Sequence, residues 1–152
     1  MDKLRFRRAT AADLGALVAM LADDVLGSSR ESASPLVAEC YRAAFAEIDA
    51  DSNQFLCVVE DGVQIVGTLQ LTFIPGLARA GAKRGQIEAV RIASDRRGDK
   101  LGEAMFAWAI DQCRARGCSL VQLTTDKARP DAHRFYDRLG FEPTHIGYKL
   151  QV

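Results

Sequence analysis

The sequence predicts a single α/β domain built on a mixed, mostly antiparallel sheet flanked by about four helices. Three observations carry this expectation. Four stretches repeat apolar residues at helical spacing, and strand-length apolar runs lie between them. The first-half runs are joined by tight-turn signals, as antiparallel neighbours are. The chain has 152 residues and shows neither internal repeats nor a low-complexity linker, so residues 1–152 are expected to form one unit.

Leu4 and Phe6 alternate with arginines as a short strand. Thr10 then caps a helix carrying Leu14, Leu17, Val18 and Leu21 on one face, with Asp13 in the first turn, where the helix dipole favours a carboxylate. Residues 27–34 are rich in Gly and Ser and predict a mobile connection. Pro35 should start a second helix from a Ser34 cap, burying Leu36, Val37, Cys40, Ala44, Phe45 and Ile48.

The apolar run 55–59, the Asp61-Gly62 turn and the alternation of Leu69, Leu71 and Phe73 with Thr68, Gln70 and Thr72 predict an antiparallel hairpin. Pro75-Gly76 ends it, and a basic loop leads to a strand over 86–93. After a turn at Arg97-Gly98, Leu101, Ala104, Met105, Trp108, Ala109 and Cys113 trace one face of a long helix closed by Gly117. Residues 120–125 read as the next strand, Pro130 opens a helix ending at Leu139-Gly140, and the chain from Phe141 onward reads as extended.

The 20 basic and 20 acidic residues balance, so no overall field recruits nucleic acid or an anionic membrane, and an anionic ligand must be held locally. The charged N-terminal stretch and the lack of a long uncharged apolar run argue against a signal peptide or membrane span, giving a cytoplasmic expectation. Cys40, Cys57, Cys113 and Cys118 have no CxxC spacing and read as buried reduced thiols. His133 and His145 lie far apart without an HExxH arrangement, so no metal site is expected.

Residues 90–102 run from a strand through a short basic turn into a helix. Such a turn aims free backbone N–H groups and the positive helix end at one point, where a phosphate can sit. Gly98 supplies backbone freedom there, and Gly102 leaves the first helical turn without a side chain in the way of a bulky diphosphate. The turn lacks the GxxxxGK[ST] of a P-loop and the GxGxxG of a dinucleotide site.

Arg97-Gly98-Asp99-Lys100-Leu101-Gly102 resembles the Arg/Gln-x-x-Gly-x-Gly/Ala pyrophosphate motif of the GNAT acyl-CoA N-acyltransferases, and Ala132, Tyr136, Leu139, Gly140 and Phe141 match their A-x-x-x-Y-x-x-L-G-F segment. The two occur in the family's order, and the resemblance covers the whole chain in element order. Lys100 departs from it by standing where the family usually has a central Gly. Arg129 stands where many members carry an Asn that contacts the pantetheine arm.

The resemblance implies acetyl-CoA as cosubstrate, held by the amides of Arg97, Gly98, Asp99, Lys100, Leu101 and Gly102, by backbone groups of Val90 and Ile92, and at Arg129. It implies direct acetyl transfer to an amine of a small molecule or protein, with Tyr136 as general acid and Glu88 as a base acting through water. Period-two spacing places Glu88 on the strand face of Val90 and Ile92, where burial would push a carboxyl toward a base's working range. An edge carboxylate paired to Arg91 or Lys83 in solvent is the other reading of the same residue. Asp23, Asp24 and Glu31 flank the Gly/Ser stretch and are candidates for attracting a cationic amine, while His133 and Asp137 are spaced as a helical surface pair. A CoA-binding sensor without catalysis remains the alternative, and a homodimer is left open.

Overall fold

The computed structural model describes residues 3–24, 26–33 and 36–152. Five strands lie in sequence order across one sheet: β1 (Arg5–Arg8), β2 (Gln54–Asp61), β3 (Gln64–Ile74), β4 (Lys83–Ile92) and β5 (Cys118–Gln122). The first four pair antiparallel, β1 with β2 across the intervening helices and the others through a tight turn or a loop, and β5 joins β4 in parallel, because the helix between them returns the chain to its starting side. The expected hairpin closes with Asp61 opposite Gln64, and Gly62 supplies a left-handed residue at φ 61°.

The four expected helices are α1 (Leu14–Ala22), α2 (Glu39–Ala50), α3 (Leu101–Ala115) and α4 (Pro130–Arg138). On one face of the sheet α3 buries Leu101, Met105, Phe106, Ala109 and Cys113 against Cys57, Val59, Leu69, Leu71, Phe73 and Ile87. The helix nests closely because two sheet positions lack side chains: a Cβ at Gly67 would stand 2.8 Å from Met105 Sδ, and one at Gly85 would collide with Cys113 Sγ. On the opposite face Leu17 packs with Ala9 and Val58, supported by Phe45, Leu56 and Ile65.

Asp13 does more than complement a helix dipole. It is buried, and its carboxylate accepts the Thr10 N–H at 2.7 Å and two bonds from the Arg7 guanidinium at 2.8 and 3.0 Å. Arg7 also donates to Glu60 at 2.8 Å, so one cation ties β1 to β2 and to the turn before α1. The Arg7 hydrogen bonds outweigh burial and hold the Asp13 carboxyl down to about 2.

Several expectations are corrected. Ser34 and Pro35 lie outside the described residues, and α2 starts at Glu39 after Ala38. Its inward line is Tyr41, Phe45 and Ile48, all half-buried, whereas Cys40 and Ala44 are exposed and Leu36, ahead of the helix, is 82% exposed. The expected face included residues that precede the first helical turn, which shifts its register. Part of the Gly/Ser stretch, Gly27–Arg30, is a single helical turn. Cys57 and Cys113 are buried, and burial pushes their thiols up to about 12 and about 11, but Cys118 is half-buried and Cys40 exposed. The chain after Phe141, expected to be extended, forms no strand, and residues 142–152 are all exposed.

Candidate active site

Beyond Gln86 the two parallel strands part. β4 pairs with β5 only over Lys83, Arg84, Gly85 and Gln86, so among the described residues none forms a strand beside 87–92 on that edge. Within this free stretch Ala89 adopts φ 53°, and two β4 residues stand opposite Leu69 of β3. This is a β-bulge with a left-handed non-glycine residue, and bulges of this kind re-aim the side chains that follow them.

The bulge corrects the placement of Glu88. Before it Ile87 faces α3, and after it Val90 and Ile92 face α3, so Glu88 lies on the opposite face from all three. Glu88 is exposed rather than set among apolar neighbours. Gln86 Nε2 donates to its Oε1 at 3.4 Å, Thr72 Oγ1 lies 3.4 Å from the same oxygen, and neither Arg91 nor Lys83 pairs with it. It belongs to a polar row across the open half of that face. Gln70 and Thr72 donate to Gln54 Oε1 at 2.9 Å, Gln122 donates to Gln86 Oε1 at 3.0 Å, and Arg84 donates to Gln122 at 3.2 Å.

The turn from β4 into α3 has the form of an anion cradle. The Ala93 N–H bonds the Val66 carbonyl and Arg96 N–H bonds that of Ala93, and the next backbone N–H with a protein acceptor is Ala104, to Lys100. Among the described residues, the seven N–H groups of residues 97–103 therefore have no main-chain acceptor. A helix start alone accounts for the last few, while the open loop supplies the rest. Gly98 at φ 96° and Lys100 at φ 58° bend the loop, so the lysine adopts the left-handed conformation that a glycine takes without strain.

Two arginines pin the loop. Arg96 pairs with Asp61 at 2.9 Å and Asp99 at 3.2 Å, and Arg97 donates to the Asp23 carbonyl at 2.9 Å. Gly102 has a packing role: a Cβ there would stand 3.3 Å from Phe135 and 3.5 Å from Ile92, so its bareness lets α4 and β4 pack against the helix start.

Tyr136 on α4 sits in an aromatic cluster, its ring centroid 5.6 Å from Phe106 and from Phe135 and 6.2 Å from Phe141. Burial pushes its phenol above the ordinary value, against the opposing pull of Arg129 and Arg91. Arg91 Nε lies 2.7 Å from Asp24 Oδ2, and Arg91 Nη1 donates to the Val90 carbonyl at 2.9 Å. Burial opposes the Asp24 charge, but the N–H groups of Gly27 and Leu26 and the arginines outweigh it and lower its pKa.

Asp24 is thus committed to holding the chain after α1 against β4, and Glu31 accepts the Tyr41 hydroxyl at 2.8 Å. His133 does not pair with Asp137; its Nε2 lies 2.9 Å from the Asp126 carbonyl. Sequence reasoning missed Ala89, Arg91 and Arg96. Alanine gives no sign of a left-handed bulge, and Asp24 and Asp61, which pair with Arg91 and Arg96, are remote in sequence.

Comparison with known proteins adds an independent line. A family model described as the acetyltransferase (GNAT) family matches residues 20–141. An aminoalkylphosphonate N-acetyltransferase of Salmonella typhimurium is 31% identical over 110 residues, 72% of this chain and 71% of the relative. A crystal structure from Bacillus halodurans C-125, described as a transcriptional regulator, superposes with a TM-score of 0.95 at 47% identity, covering 99% of this chain and 100% of that one. A putative acetyltransferase from Agrobacterium tumefaciens C58 gives a TM-score of 0.84 at 28% identity, covering 97% of this chain and 99% of the other.

Proposed function

Because the chain belongs to the GNAT acetyltransferase family, we propose that it transfers the acetyl group of acetyl-CoA directly to the amine of a small molecule, with Glu88 and Tyr136 handling the protons. The observation that carries the cofactor side is the run of seven backbone N–H groups without main-chain acceptors at residues 97–103. Donors converging at a helix start suit a diphosphate, whose charge also complements the helix dipole. Lys100 adds a cation at the cradle and Arg129 another near Tyr136. The free edge of β4 around Val90 and Ile92 supports pairing with the amide-bearing pantetheine arm, in the way an added strand would.

In the proposed reaction the amine nitrogen bonds to the thioester carbon as the carbon–sulfur bond breaks, giving an amide and free CoA thiol. Glu88, exposed and backed by Thr72 and Gln86, takes the amine proton through a water. Tyr136, held protonated by burial, gives its proton to the departing sulfur. The polar row around Glu88 supports an acceptor rich in hydrogen-bonding groups, and the Salmonella relative points to aminoalkylphosphonates as the first amines to try.

A thiol-release assay over an amine panel tests the reading. At least one amine should release CoA. Tyr136→Phe should lower kcat about 100-fold or more while acetyl-CoA affinity stays within about threefold. Wild-type kcat should hold on the alkaline side to about the ordinary tyrosine pKa of ~10 or beyond, since burial extends the protonated form upward. Thermal stabilisation by acetyl-CoA with no release for any amine would instead fit a sensor that kept the fold and lost the chemistry. Absence of acetyl-CoA binding would defeat both readings.

A further inference from the structure

The open face of the sheet holds two charges that the chain itself leaves unmatched. Arg84 and Glu88 lie on the same side of β4 as Gln86, because Gly85 and Ile87 between them face α3. Arg84 is half-buried, and its hydrogen bond goes to a neutral group: Nη1 donates to Gln122 Oε1 at 3.2 Å. Among the described residues no carboxylate pairs with Arg84, and no cation pairs with Glu88. Arg7, Arg91 and Arg96, also half-buried, are each matched by a carboxylate.

Two glutamines stand between the unmatched charges. Gln122 Nε2 donates to Gln86 Oε1 at 3.0 Å and Gln86 Nε2 to Glu88 Oε1 at 3.4 Å, so the donors point one way, from the cation to the carboxylate. At a rise of about 3.3 Å per residue the backbones of Arg84 and Glu88 are about 13 Å apart, and both side chains lean inward. Arg84 reaches Gln122, the register partner of Gln86, and Glu88 turns back toward Gln86. A half-buried cation without a counter-ion is a cost to the fold unless something from outside matches it. With its Nη1 alone engaged, the planar guanidinium keeps most of its donors for the oxygens of an acid group.

We infer that Arg84 recognises an anionic group on the acceptor, so that the site takes short amines that also carry a carboxylate or a phosphonate. Such a molecule lies along the glutamine row with its acid on Arg84 and its ammonium facing Glu88, and both unmatched charges are matched at once. An amine without an acid leaves Arg84 as it is in the chain alone. The inference rests on the proposed use of this face for the acceptor.

Binding and turnover are measured separately to test it. Calorimetric titration of the protein saturated with free CoA reads acceptor binding without reaction, and thiol release with acetyl-CoA reads turnover. The probes are β-alanine, γ-aminobutyrate and δ-aminovalerate, each beside its uncharged amide, and β-aminoethylphosphonate beside its diethyl ester. At least one acid-bearing amine should bind about 30-fold or more tightly than its neutral partner, and the carboxylate and phosphonate arms show which acid is preferred. Arg84→Gln should reduce that preference to about threefold or less. Arg84→Lys should keep part of it, because the charge remains while the fork is lost. Arg114→Gln, in an exposed ion pair on α3, should leave it unchanged. Equal binding of acid-bearing and neutral amines, binding of neither, or a preference that survives Arg84→Gln would each overturn the inference. A preference lost in Arg84→Gln without thiol release from acetyl-CoA would uphold it and count against catalysis, whereas thiol release with neutral amines alone would uphold catalysis and overturn it.

Discussion

On the α3 side of the sheet, Leu69, Leu71, Phe73, Ile87, Met105 and Phe106 are essentially inaccessible, and Gly67 and Gly85 bring the helix still closer. On the other side α1 and α2 pack over β1, β2 and parts of β3 and β4, and the uncovered part carries Gln54, Gln70, Thr72, Gln86, Glu88 and Gln122 joined by side-chain hydrogen bonds. One face gains stability from removing water. The other keeps water and hydrogen-bonding groups available, so its residues are free to meet a ligand without weakening the core. The bulge at Ala89 links the two, turning Val90 and Ile92 inward while Glu88 remains outward.

The contrast can be broken most forcefully on the dry face. Gly85→Val places a branched side chain where Cys113 already sits, and should cost about 3 kcal/mol of unfolding free energy, read as a lower urea midpoint. Adding Cys113→Ala should recover part of that loss. An unchanged midpoint in the single variant would mean that α3 does not press on the sheet as described.

A change on the wet face should do the reverse. Glu88→Gln is expected to lower kcat about 100-fold while shifting stability by no more than about 0.5 kcal/mol. If stability falls with activity, or activity persists, Glu88 is not the base and the two faces are less distinct than drawn. The smaller effect belongs to the charged cluster under α1. Asp13→Asn should cost about 2 kcal/mol at pH 6, because the native carboxyl is held down to about 2. The contribution is full above the ordinary carboxylate pKa and disappears as pH falls through about 2, so wild-type and variant stabilities should converge in that acid range. A difference that stays constant with pH would assign Asp13 a packing role instead.

Much of the fold was legible along the chain. Leu69, Leu71 and Phe73 alternate and are buried; Leu101, Met105, Ala109 and Cys113 recur at helical spacing and are buried; Asp61-Gly62 marks the hairpin turn. The cradle was legible for the same reason, since Arg97, Gly98 and Lys100 form a short basic turn ahead of a periodic helix and the free amides follow from that geometry. Less legible was α2, where Leu36 and Cys40 matched a periodicity whose phase depends on where the helix begins. The segment after Phe141 was read as extended but forms no strand, because pairing needs a neighbour that local preference does not supply.

Local chemistry by itself determined the elements, their order, the motif that resembles the family's and the basic turn ahead of α3, because each depends on residues within a few positions of one another. The tertiary structure alone decided which face Glu88 occupies, that Asp24 is committed to Arg91, that Gly102 faces Phe135, and that β5 keeps an open edge. Each of these depends on groups brought together from distant parts of the chain, and a single bulged residue, Ala89, is enough to reverse the alternation by which a strand's faces are read.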